Sequence, residues 1–180
     1  ASLKPKPLSG QVMLITGGAG AIGAATAKLF ASQGAHVVVV DLDAAQAEAT
    51  AKEAGNSSIG VGADVTDPAQ VRGAFDRAVA VYGGVDIVIS NAGAAWQGRI
   101  GELDDATLRK SFELNFFAHQ SVASNAVRIF RMQRTGGVLL FNTSKQAVNP
   151  GKNFGAYGLP KAATLFLCRQ YALDYGSEGI

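Results

Sequence analysis

Short apolar runs alternate with longer stretches of helical spacing along almost the whole chain. Val12 to Thr16 is continuously apolar up to its last residue, as a strand covered on both faces requires; Ala21 to Ser32 then carries apolar positions at helical spacing and stops at Gly34. The alternation repeats. His36 to Val40 reads as a strand ending at Asp41, followed by an alanine-rich helix that Asp43 can cap and that ends near Gly55. Ile59 to Ala63 is a third strand. Asp67-Pro68 opens a helix running to about Tyr82, with proline in the first turn, where its missing N–H costs nothing. Val85 to Ser90 and Val138 to Asn142 are two further buried-strand candidates. Between them Asp104 to Arg134 reads as one long helix with a bend near its start, and Phe154 to Tyr175 is the last helix. Residues Ala1 to Gly10, with Lys4-Pro5-Lys6-Pro7, lack an apolar face and read as a linker or tail ahead of a domain spanning 11–180.

Strands alternating with helices over short connections imply a parallel sheet with right-handed crossovers and helices on both faces, an α/β doubly wound fold of three layers. Ligands of such sheets bind at the carboxyl ends of the strands, at the topological switch point. Those ends carry Thr16-Gly17, Asp41, Asp64-Val65, Asn91-Ala92-Gly93 and Asn142-Thr143-Ser144. The polar motifs therefore fall on one edge of the sheet.

Composition narrows the function classes. At 180 residues the chain suits one α/β domain, and 48% hydrophobic with 17% charged residues and 22 Gly fits a globular protein rich in tight turns. A net charge of +2 gives no electrostatic case for nucleic acid or an anionic membrane. Arg128, Arg131 and Arg134 read as a solvated helix end. Cys168 is the sole cysteine, which excludes an intrachain disulfide, and it reads as a small core residue. His36 and His119 read as structural, since neither has a second ligand-type residue at metal spacing, and no metal site is expected. No apolar run is long enough to span a membrane, and no signal-peptide layout is visible, so a reducing cytoplasm is the expected setting.

The chemistry lies in two motifs. Thr16-Gly17-Gly18-Ala19-Gly20-Ala21-Ile22-Gly23 is a glycine-rich turn between a strand and a helix, where absent side chains let the main chain approach a pyrophosphate and helix N–H groups face the anion. Asp41, at the end of the second strand, can accept hydrogen bonds from ribose hydroxyls and would repel a 2′-phosphate. With no Arg or Lys at 17–23 or 42–43, NAD is favoured over NADP. The second motif is Tyr157-Gly158-Leu159-Pro160-Lys161. Tyrosine and lysine four apart share a helix face, where an ammonium favours the phenolate that general acid/base work requires. Ser144, 13 positions before Tyr157, can hold a substrate oxygen near it. Trp96 either walls a substrate pocket or packs a loop.

In this combination the chain resembles the short-chain dehydrogenases/reductases over Leu8 to Ile180, through the Thr-Gly-x-x-x-Gly-x-Gly turn, Asn91-Ala92-Gly93, Asn115 on the long helix, Ser144 and Tyr157-x-x-x-Lys161. The resemblance implies a Rossmann-like fold, with five of the family's usual seven strands present, and a catalytic set of Asn115, Ser144, Tyr157 and Lys161. Asn115 would fix a water relaying protons from Lys161; a satisfied buried amide is its alternative reading. The cofactor-binding set expected is Gly17, Gly20, Ala21, Ile22, Gly23, Asp41, Leu42, Asp64, Val65, Asn91, Ala92, Gly93, Tyr157 and Lys161. The activity implied is NAD-dependent hydride transfer on a small alcohol or carbonyl substrate, in a homo-oligomer, dimer or tetramer. The wording around Phe141 to Lys145 and Tyr157 to Lys161 is similar to the dehydrogenase half of bifunctional aldolase/short-chain dehydrogenase proteins. That similarity implies a fused aldolase-like domain and a sugar-derived substrate. Two departures stand out. Pro160 sits inside the motif helix, where it is expected to shift or kink the first turn. The chain also ends at Gly179-Ile180, where a sixth strand and a substrate-covering segment are expected, so a nucleotide-binding module without its own turnover is the alternative function.

Overall fold

The computed structural model describes residues 5–180, in which five parallel strands form one sheet in the order β3-β2-β1-β4-β5. The strands are β1 (Val12–Thr16), β2 (His36–Asp41), β3 (Ile59–Gly62), β4 (Ile87–Ser90) and β5 (Val138–Phe141). The helices are α1 (Ala21–Ser32), α2 (Ala44–Ala54), α3 (Pro68–Tyr82), α4 (Asp105–Phe112), α5 (Ala118–Gln133) and α6 (Gly155–Tyr175). The chain reverses direction across the sheet between β1 and β4. There the switch-point cleft opens.

Side chains alternate across the sheet and feed two cores. Leu14, Val38, Val40 and Val88 face α3 and α5, meeting Phe75, Val122, Ile129 and Phe130. Met13, Ile15, Val37, Val39 and Ile87 face the opposite way, onto Ala27, Ala31, Ala47 and Ala51. Small alanines bring α1 and α2 close to the strands. Helices α2, α3 and α4 each begin at an aspartate whose carboxylate accepts a first-turn N–H: Asp43 from Gln46, Asp67 from Ala69 and Asp104 from Thr107.

Four sequence expectations change. The long helix is not one α-helix: Glu113–Phe117 is a π-helical turn joining α4 to α5, with Ala118 N bonding back five residues to Glu113 O. β5 is not buried on both faces. It forms the sheet edge, and Val138 and Leu140 are half exposed because no helix covers that side of it among the described residues. Cys168 is only half-buried, on α6, and so is not a core residue. The arginines are not merely solvated: Arg128 pairs with Asp76 at 3.2 Å and Arg131 with Glu178 at 2.8 Å, while Arg134 ends α5 in the left-handed conformation. The first four residues of the expected tail lie outside the described residues. Within the rest, Leu8 packs on the second core and its N–H bonds Gln33 O at 3.0 Å.

Candidate active site

The glycine turn is built so that backbone, not side chains, faces the cleft. Gly17 has φ of 62°, and a β-carbon at Gly23 would lie 2.1 Å from Gly17 O. Unlike α2 to α4, α1 starts at Gly20 with no side-chain cap. Its first N–H groups are thus free for an anion. Asp41 closes the turn from β2, Oδ2 accepting the Ala19 N–H at 3.0 Å and Oδ1 that of Asp43 at 3.3 Å.

A cleft of about 560 Å³ runs from this turn past the ends of β3 and β4 to α6. It is lined by Gly17, Gly20, Ala21, Ile22, Gly23, Asp41, Leu42, Asp64, Val65, Asn91, Ala92, Gly93, Tyr157 and Lys161. Asn142, one of the polar strand-end residues, lines it too, as do Ala63, Ala94, Ala95 and Leu114, which only their place in space puts there. Asn91 does so with its side chain engaged: Nδ2 donates to Thr16 O at 3.0 Å and Gly17 O at 3.2 Å, and Oδ1 accepts from Asn142 Nδ2 at 2.8 Å. It ties β1, β4 and the end of β5 together.

On α6, Tyr157 and Lys161 share one face, with Lys161 Nζ 5.7 Å from the centre of the tyrosine ring. Lys161 is buried and donates to Asn142 O at 2.8 Å; burial brings its pKa from 10.5 down to about 8. Pro160 does not break the helix. The carbonyl its missing N–H would have engaged, Ala156 O, accepts instead from Ser111 Oγ at 2.6 Å, a buried hydrogen bond supplied by α4. Ser111 Oγ in turn accepts from Asn115 Nδ2 at 3.1 Å.

Asn115 is fully buried in the π turn. Its Nδ2 donates to Ala94 O at 2.8 Å, its Oδ1 accepts the Ala94 N–H at 3.3 Å, and its carbonyl accepts from Thr164 Oγ1 at 2.6 Å. The amide is satisfied and clasps the loop after Gly93; it lies behind the cleft wall rather than in it. Gly93 fits between, since a β-carbon there would come 2.9 Å from Asn115 Oδ1 and 3.3 Å from Lys161 Nζ. Ser144 also stands outside the cleft lining, at the start of a 3-10 turn, Lys145–Ala147, where its Oγ accepts the Gln146 N–H at 3.2 Å. Gly158 lets α6 press on that turn, its absent β-carbon leaving 2.9 Å to Gln146 O. Trp96 is not among the cleft-lining residues; Lys110 Nζ of α4 stands 5.8 Å above its ring.

A sequence model of the short chain dehydrogenase family matches residues 11–180. The chain belongs to that family. Among relatives of this short-chain dehydrogenase is the uncharacterized oxidoreductase YuxG of Bacillus subtilis (strain 168), 39% identical over 96% of this chain but 26% of that protein. Another is short chain aldehyde dehydrogenase 1 of Euphorbia lathyris, 34% identical over 97% of this chain and 62% of its own. The chain thus spans less than two thirds of either. The crystal structure of 3-ketoacyl-(acyl-carrier-protein) reductase from Brucella melitensis complexed with NADH superposes with a TM-score of 0.92 at 29% identity, covering 96% of this chain and 73% of that one. The family is one of oxidoreductases using a nicotinamide cofactor.

Proposed function

We propose that this short-chain dehydrogenase interconverts an alcohol and a carbonyl with NAD as the hydride carrier and Tyr157 as the acid/base. The observation that carries the reading is one cleft holding both an uncapped, side-chain-free helix start and a Tyr–Lys pair on a single helix face. Bound in the cleft, the cofactor would supply or accept hydride. Ala21 and Ile22 would offer first-turn N–H groups to its pyrophosphate, and the Gly17, Gly20 and Gly23 turn would admit it at close range. Asp41 would accept from the ribose hydroxyls, and no basic residue at 17–23 or 42–43 compensates a 2′-phosphate. The NADH of the Brucella reductase complex agrees with this choice. Leu42, Asp64 and Val65 would flank the adenine, with Asn91, Ala92 and Gly93 beneath the nicotinamide half.

Tyr157 takes the proton of the substrate hydroxyl in oxidation and returns it in reduction. Lys161 stabilises the phenolate and, with a pKa of about 8, can pass a proton on near neutral pH. Ser144 orients the substrate oxygen. Asn115 acts by holding the Ala94 loop and the Lys161 surroundings in place. Exposed apolar residues on the outer faces of the helices, Phe117, Phe166 and Leu173, support self-association in a cytoplasmic enzyme. A second reading, a nucleotide-binding unit within a larger fusion such as an aldolase, draws on the chain spanning only 26% of the Bacillus protein. A sugar-derived substrate belongs to that reading.

One experiment separates these. Calorimetric titration with NAD and NADP, on wild type and Tyr157→Phe, is paired with a screen for hydride transfer from small alcohols. NAD should bind more tightly to both proteins, and Tyr157→Phe should lower turnover by roughly 10²–10⁴-fold. NAD binding without turnover on any alcohol would favour the second reading, and preference for NADP would overturn the role of Asp41.

A further inference from the structure

His119 lies behind the reactive pair and has no part in the chemistry above. It is 1% exposed, held in α5, with Nδ1 2.7 Å from Ser90 Oγ at the end of β4 and Nε2 3.5 Å from Lys161 Nζ. The Phe141 ring covers its other side at 6.3 Å. Around the ammonium, each packed element presents a neutral group. The loop after β5 gives Asn142 O, α5 gives His119, α6 gives the Tyr157 ring, and the polar atoms of Asn115 are engaged by Ala94 and Ser111. No carboxylate is within ion-pair distance of Lys161 among the described residues. A buried cation held by neutral acceptors depends on each of them.

The ring's orientation fixes its tautomer. A proton on Nε2 would point at the lysine ammonium, donor against donor, so the proton belongs on Nδ1, where Ser90 Oγ can accept it. An imidazolium is excluded by the same contacts, because burial first and the Lys161 charge second bring the His119 pKa down to about 3.

We propose that neutral His119 is a positioning residue for Lys161: its Nδ1–H donates to Ser90 Oγ, its bare Nε2 accepts from the ammonium, and together with Asn142 O it turns the third N–H of Lys161 into the cleft. The inference rests on the reading of Lys161 as the ammonium partner of Tyr157. At 3.5 Å the contact is long for a hydrogen bond, so it guides direction more than it binds. Losing it disfavours the charged lysine and frees the ammonium to turn away from Tyr157.

Nuclear magnetic resonance of the full chain tests this without turnover. The chain has only two histidines, so His119→Gln assigns the ring resonances, and long-range proton–nitrogen correlation reads which nitrogen is protonated. Protonated Nδ1 with bare Nε2 is expected; a proton on Nε2 overturns the proposal. Lysine labelled at Cε then gives the Lys161 titration midpoint. His119→Phe should lower it by roughly one pH unit, and His119→Gln, whose amide oxygen reaches the Nε2 position, should restore most of the shift. An unchanged midpoint in His119→Phe also overturns it, and should that variant not fold, the wild-type tautomer decides alone. Absence of dehydrogenase activity would count against the proposed reaction while leaving both readouts intact.

Discussion

The two sides of the cleft are built by different means. On the β1–β2–β3 side the surface offered to a ligand is backbone: glycines without side chains, an uncapped helix start, and Asp41 folded onto a main-chain N–H. On the β4–β5 side it is side chains, Tyr157 and Lys161, steadied by contacts between elements far apart in sequence. Lys161 reaches the loop after β5, Ser111 of α4 reaches α6, and Asn115 reaches the loop after β4. The underlying sheet differs in the same sense. β1 and β2 are covered on both faces, whereas β5 is an edge with alternate side chains half exposed. A backbone site is vulnerable to added atoms, and a side-chain site to lost partners.

The sharpest way to break the first side is therefore a single methyl. In Gly23→Ala the new carbon would lie 2.1 Å from Gly17 O and 2.8 Å from Gly18 Cα, both backbone, so the turn must open rather than a side chain swing away. A loss of about 3 kcal/mol in urea unfolding is expected, with NAD binding abolished in calorimetry. Gly176→Ala, where an added β-carbon meets nothing within 4 Å, should leave both nearly unchanged. Equal effects at the two positions would remove close backbone approach as the cause.

This contrast also explains what the sequence could and could not reveal. The alternation of strands and helices, the cap at Asp43, the helix start at Asp67-Pro68 and the glycine turn follow from local rules of periodicity and capping, so the first side was readable residue by residue. The second side depends on contacts at long range. Nothing near Pro160 in sequence announces that Ser111, 49 positions earlier, will supply the missing donor, so that α6 runs on through the proline. Nor does spacing single out His119 or Thr164, each buried and bonded to a distant element. The π turn at Glu113–Phe117 interrupts a helix whose apolar pattern runs on unbroken. The exposed edge of β5 was missed for a related reason: an apolar run of four residues looks the same whether one face or two are covered.

Coverage of the sheet gives a second test. Val39→Ala removes two carbons from a fully buried site between β2 and the α1–α2 layer, and should cost about 2–3 kcal/mol. Leu140→Ala removes three carbons from a side chain that is 45% exposed, and should cost about 1 kcal/mol or less. The larger truncation is thus expected to be the milder one in chemical denaturation at low protein concentration. A Leu140→Ala cost matching that of Val39→Ala would mean that the outer face of β5 is covered in solution, and a dependence on protein concentration would assign the cover to a second copy.

The smallest effect concerns the buried charge on the second side, and its sign is fixed by linkage. The Lys161 pKa is about 8 in the folded chain against 10.5 as the ordinary value, so between those limits the unfolded chain holds more protons and stability rises with pH. Below pH 8 lysine is charged in both states and the full cost of burial is felt; above 10.5 it is neutral in both and the cost has gone. Lys161→Met carries no such group. It should be more stable than wild type at pH 7 without cofactor, and the difference should fall steadily as pH climbs from 8 and reverse before 10.5. The gain at pH 7 stays on the order of 1–2 kcal/mol, because methionine leaves Asn142 O and His119 Nε2 without their donor. Urea midpoints of the two proteins across this range measure it, and other titrating groups cancel because both chains share them. A difference independent of pH would show that burial does not depress the lysine. The ammonium would then be held by its neutral partners as firmly as by water, and the second side of the cleft would carry its charge at no cost to the fold.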